Sequence, residues 1–173
     1  AMDGLERLYT QAGDREGLAR LYGRQAGDAA ENPVGTFYAL LAGDLHHELS
    51  RFDAAVGFYE QAFADPVGRE RAFEALRRIH LRNRDGEALV ALTAALCKDL
   101  PLVDARARSM DLADGLIQIG DEDRVVEAYQ TMLAEHDDFT VPAFHLRVLY
   151  SDREDWNAVL SVLEQLQDRV VSK

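Results

Sequence analysis

Apolar residues along the chain recur at offsets of three and four, and short polar turns interrupt them at regular spacing. Gly13-Asp14, Ser50-Arg51, Asn83-Arg84, Gly120-Asp121 and Glu154-Asp155 occupy the turns, with first members 37, 33, 37 and 34 residues apart. Each is followed by an apolar stripe: Leu18, Leu21 and Tyr22; Ala55, Phe58, Tyr59 and Ala62; Ala88, Leu92, Ala95 and Leu96; Val125, Tyr129, Met132 and Leu133; Val159, Leu163 and Leu166. Stripes also precede turns, as in Ala42, Leu45 and Leu49 and then Phe73, Leu76 and Ile79. A helix packed along one face has this pattern. Asp53, Asp85 and Asp123 are expected to cap second helices by accepting free backbone N–H groups. Asp65-Pro66, Leu100-Pro101 and Val141-Pro142 mark breaks, because the residue before proline avoids the helical region. No stretch alternates apolar and polar residues as a half-buried strand does. The pattern predicts an all-α fold of about five helical hairpins. A compact helical bundle is the alternative, although it does not require regular spacing.

Thr36 to Pro66 carries a further pattern. In Ser50-Arg51-Phe52-Asp53-Ala54-Ala55-Val56-Gly57-Phe58-Tyr59-Glu60-Gln61-Ala62-Phe63, closed by Asp65-Pro66, small Ala55 and Ala62 bracket the aromatic Tyr59. Ala42-Gly43, with His46 three residues on, stands in the preceding helix. This segment resembles the tetratricopeptide repeat family, and weaker matches extend over nearly the whole chain. Ala88, Leu92 and Ala95 fit the third repeat, while Val125, Tyr129 and Met132 are bulkier. In the fifth, Leu166 replaces the second small residue. The resemblance implies a right-handed α-α superhelix, a solenoid of five hairpins in one array over 1–173. Its approximate units are 1–33, 34–66, 67–103, 104–138 and 139–173. The implied function is non-catalytic: a scaffold holding a peptide or amphipathic helix of another protein in a concave groove.

Charge narrows the partners. The 173 residues carry a net charge of −12, so long-range repulsion disfavours nucleic acid and anionic membranes. No apolar run is long enough to span a bilayer. Cys97 is the only cysteine, which excludes an internal disulfide and fits a reducing, cytoplasmic location; a disulfide-free periplasmic protein is also compatible. Ala1-Met2-Asp3-Gly4 is no signal peptide, and Ala1 before Met2 resembles a cloning remnant; together with the apolar last helix this leads us to expect a piece of a longer array.

Catalytic patterns are missing. There is neither a phosphate-binding glycine loop nor a Gly-x-Ser-x-Gly elbow. His46 and His47 are adjacent, about 100° apart on a helix, so packing or surface roles fit them better than a shared metal. Asp121-Glu122-Asp123 lacks the glycine of a calcium loop and reads as an acidic helix start. A metal at Glu135-His136-Asp137-Asp138 is disfavoured. Cys97 reads as core, and Trp156 as packing between the last two helices. We therefore expect no enzyme activity, no cofactor and no metal.

The resemblance also projects a partner-facing surface onto first helices. The second unit supplies Phe37, Leu40, Asp44 and His47; the third Glu70, Phe73, Arg77 and His80; the fourth Ala107, Met110, Asp114 and Ile117; the fifth Val141, Phe144 and Val148. The same residues fall in the inter-helix core if the register is off by one. The Lys and Asn clamp that some family members use for a C-terminal carboxylate is missing, since Leu40, Asp44, Phe73 and Arg77 stand there. Arg69, Arg71, Arg77, Arg78, Arg82 and Arg84 form a basic run that either docks an acidic partner segment or pairs internally. The last helix carries Val159, Val162, Leu163, Leu166 and Val170 on more than one side. Self-association through it is the second functional reading.

Overall fold

The computed structural model describes residues 2–30, 32–136 and 138–171. Among the described residues there are ten helices and no strand: α1 Met2–Ala12, α2 Arg15–Asp28, α3 Pro33–Glu48, α4 Phe52–Phe63, α5 Arg69–Asn83, α6 Gly86–Cys97, α7 Leu102–Ile119, α8 Glu122–Glu135, α9 Val141–Asp152 and α10 Trp156–Val171. They divide into two compact units, Ala1–Asn83 and Arg84–Lys173. Within each unit, every helix packs on its neighbour in sequence.

All five predicted turns are present, and each contains a residue in the left-handed region: Gly13 (φ 64°), Ser50 (59°), Arg84 (55°), Gly120 (77°) and Glu154 (56°). Four show the same closing bond, in which the next N–H reaches back five residues: Asp14 to Tyr9, Arg51 to His46, Asp121 to Leu116 and Asp155 to Tyr150. This closure satisfies helix-end carbonyls that otherwise lack a donor. In every turn but Ser50-Arg51 the following residue is an aspartate, which caps the next helix. Asp14 accepts from Gly17, Asp85 from Ala88, Asp121 from Arg124 and Asp155 from Ala158. Asp85 thus caps as expected. Asp53 and Asp123 do not; they sit inside the first turn, facing the positive helix end.

Three of the left-handed residues carry a side chain, and that conformation costs an L-residue about 1–2 kcal/mol. Glycine at positions 50, 84 and 154 removes this cost but adds freedom to the unfolded chain. We expect each change to stabilise by about 0.5–1 kcal/mol. The triple variant should unfold at clearly higher urea; an unchanged or lower midpoint would contradict the strain argument.

Small residues let the helices approach. Ala39, Ala42, Ala55, Ala62 and Ala72 are buried in the N-terminal unit around Tyr59, Phe73, Leu76 and Ile79. A Cβ at Gly43 would lie 2.6 Å from the Tyr59 ring. The C-terminal unit packs Leu89, Leu92, Leu96, Leu116, Val125, Tyr129, Met132, Leu133, Leu146 and Val162. Trp156 is a correction: it is 61% exposed and does not pack between α9 and α10. The helix buries Val162, and Trp156 lies about 120° away from it around the axis. Leu160 and Leu163 share that exposed side.

Candidate partner-binding faces

The left-handed turn residue fixes the register of each first helix. Counting back from Ser50, Arg84, Gly120 and Glu154 makes Phe37, Arg71, Ala107 and Val141 equivalent. It likewise aligns Leu40 with Glu74, Met110 and Phe144, and Asp44 with Arg78, Asp114 and Val148. His47 aligns with Leu81, Ile117 and Ser151.

The projected face therefore needs one shift, in the third hairpin. Its left-handed residue is Arg84 rather than Asn83, so Glu70, Phe73, Arg77 and His80 stand one residue too early. Phe73 is 2% exposed, within the helix packing, and no partner reaches it. Arg77 and His80 are only part-exposed, and Arg71, Glu74 and Arg78 take the face positions. The cue was in the sequence: an aspartate directly follows the turn residue in Gly13-Asp14, Gly120-Asp121 and Glu154-Asp155, and so in Arg84-Asp85. Leu40 is in register but only 7% exposed, so it too belongs to the core. Phe37, Ile117, Val141, Phe144 and Val148 are exposed, as are His47 and Asp114, while Asp44 and Met110 are part-exposed.

In the N-terminal unit the face is polar and internally paired. The Tyr59 hydroxyl donates to Asp44 Oδ1 at 2.8 Å, and Arg71 pairs with the other oxygen, Oδ2. Asp44, His47, Glu48, Tyr59, Ala75 and Arg78 line a cavity of ≈ 360 Å³ there. Burial, then the hydrogen bond to Asp44, raises the Tyr59 pKa. Other members of the arginine run are engaged locally: the Arg69 Nε donates to the Phe63 carbonyl, and Arg82 lies over the Phe52 ring at 4.5 Å. Such exposed pairs contribute about 0–1 kcal/mol each. Arg77 and Arg78 make no ion pair among the described residues.

The C-terminal unit places an aspartate and a tyrosine at the equivalent sites, Asp114 and Tyr129. Tyr129 is 1% exposed and stacks on His145 of α9, with centroids 5.1 Å apart. Its hydroxyl has no hydrogen-bond partner. Burial, then the Asp114 carboxylate, raises its pKa.

The histidine pair packs within its hairpin. His47 meets Phe52 edge-on, and His46 stacks on Phe58 with centroids 5.3 Å apart and its buried Nδ1 unpaired. Burial, and then Arg51, holds the His46 pKa below its usual 6.5. Between about pH 6.5 and the lowered value, the unfolded chain takes up the proton more readily than the folded one. The folded state therefore loses stability as pH falls through this window. His46→Gln should flatten the fall in urea midpoint on acidification below about pH 6.5; equal slopes in both proteins would refute the assignment.

On the second-helix side of the C-terminal unit, Val90, Ala94, Cys97, Leu112, Ala128 and Met132 help line a cleft of ≈ 490 Å³. Cys97 is half-buried rather than fully in the core, and its thiol donates to the Ala105 carbonyl at 3.7 Å. Burial pushes its pKa up, so little reactive thiolate forms. Among the described residues no group of three His, Cys, Asp or Glu side chains could hold a metal ion. Asp137 of the acidic loop lies outside them.

Residues 1–33 match a family described as Tetratricopeptide repeat. Over those residues the chain is similar to a tetratricopeptide repeat. The match spans α1 and α2, whereas the strongest sequence pattern lies in α3 and α4. No curated protein matches the chain. Tetratricopeptide repeats generally mediate protein–protein interaction, and their all-helical fold is generally non-catalytic. No described helix is long and apolar enough to cross a membrane.

Proposed function

We propose that this chain is a non-catalytic scaffold that binds a peptide or helix of another protein along its first-helix faces, in a reducing compartment. The observation that carries the reading is positional. Phe37, Ile117, Val141, Phe144 and Val148 are large, apolar and exposed, and each falls on one of the four projected face positions of its first helix, α3, α7 or α9. Burying such a side chain gains about 1.5–3 kcal/mol before the costs of association. Arg78, exposed at its face position, provides a cation for an acidic segment of the partner.

The test is a crosslinking pull-down from source-cell extract with wild type and an Ile117→Ser, Phe144→Ser variant. Both substitutions lie at exposed sites, so the variant should keep its helical circular dichroism. A protein recovered with wild type and lost with the variant supports the reading; equal recovery overturns it. Self-association is the second reading, favoured by exposed Trp156, Leu160 and Leu163 along one side of α10. A concentration-dependent dimer by light scattering, abolished by Leu160→Glu, would support it instead.

A further inference from the structure

The two units place the same pair of groups, an aspartate and a tyrosine, in different surroundings. Asp44 and Asp114 both stand six residues before the left-handed residue of their turn, and Tyr59 and Tyr129 nine residues after it. In the N-terminal unit the set is complete. The tyrosine hydroxyl donates to the aspartate, and Arg71 neutralises the carboxylate. Arg78 lines the same cavity. In the C-terminal unit the positions of Arg71 and Arg78 are taken by Val141 and Val148, both exposed. Asp114 is exposed and makes no ion pair among the described residues. The buried Tyr129 hydroxyl of the same hairpin makes no hydrogen bond. One half of this assembly is thus built into the chain, and its cation is not.

We propose that the α7 and α9 face of the C-terminal unit takes an amphipathic segment of a partner protein whose lysine or arginine supplies the missing cation to Asp114. This rests on the protein-binding reading above and specifies the partner's chemistry. Ile117 stands one helical turn after Asp114 on α7, and Val141, Phe144 and Val148 are exposed apolar residues at the face positions of α9. The cation therefore arrives within an apolar stripe, with hydrophobic side chains one helical turn to either side. In the proposed complex Asp114 takes toward Tyr129 the place that Asp44 holds toward Tyr59. The chain's charge of −12 attracts such a segment at long range.

A random-peptide display library selected on the full chain is the probe, with winning peptides then measured by fluorescence anisotropy. Winners are expected to carry one lysine or arginine between apolar residues at helical spacing. Changing that residue to glutamine should weaken binding to wild type by about tenfold and leave binding to Asp114→Asn unaffected. Val141→Arg, which supplies the cation from within, should lose the same preference. Circular dichroism shows whether each variant is folded, and either one suffices for the comparison. The proposal falls if winners show no excess of basic residues, or if charged and neutral peptides bind alike. Binding that ignores peptide charge yet is lost in Phe144→Ser would leave the broader protein-binding reading standing. No winners at all would overturn both.

Discussion

Phe73→Ala is expected to cost the N-terminal unit about 3–5 kcal/mol, the usual range for removing a fully buried aromatic ring. Phe73 is among the largest side chains that are almost completely enclosed. The loss combines the transfer energy of the ring with the cavity left among close-packed helices. Domains of this size are stable by only about 5–15 kcal/mol, so much of that margin would go. Urea unfolding followed by circular dichroism measures it. Phe37→Ala is the matched control: the same chemistry at an exposed site should cost less than about 1 kcal/mol. If Phe73→Ala proved as mild as the control, the residue would belong to the partner-facing surface after all.

That pair of phenylalanines shows what could be read from the chain and what could not. Helix content, the turns and the repeat spacing follow from apolar offsets and from the short polar breaks, both local properties of sequence. Aligning Phe73 with the partner face misses by a single residue, because the left-handed residue of Asn83-Arg84 is its second member. On a helix one residue is about 100°, enough to exchange groove for core. The aspartate cap that follows the turn residue in Gly13-Asp14, Gly120-Asp121 and Glu154-Asp155 carries the right register for Arg84-Asp85. Leu40 is a different case, since its register was right. Its burial depends on how closely α3 packs on its neighbours, which no single-helix pattern contains. Trp156 differs again. Which side of α10 meets α9 is decided by tertiary packing, and a helix apolar on several sides does not announce that choice. The contrast between Asp44 and Asp114 was hidden for a further reason. It needs equivalent positions in two repeats and the hydrogen bonds of two tyrosines, and both are properties of the folded chain.

Gly35→Ala should destabilise by about 1–3 kcal/mol, toward the upper end, although alanine is the better helix former. Gly35 lies in the first turn of α3, where the chain has just left α2. A Cβ there would stand 2.1 Å from the Ala29 carbonyl oxygen and 2.5 Å from its carbon. These are backbone atoms, so no rotamer change relieves the overlap. That oxygen also accepts the Asn32 N–H at 3.0 Å, and the Asn32 side chain caps α3 through Val34 and Gly35. Moving Ala29 aside therefore disturbs the junction that starts the helix, at a cost exceeding the propensity gain of about 1 kcal/mol. Gly57→Ala isolates that gain. It lies within α4 with nothing within 4 Å of its added Cβ, so it should stabilise by about 0.5–1 kcal/mol. Opposite signs for the two substitutions in urea unfolding would show that the tight α2–α3 junction, rather than helix propensity, sets the demand for glycine at position 35. If both stabilised, the junction would have to be looser than the 2.1 Å approach implies.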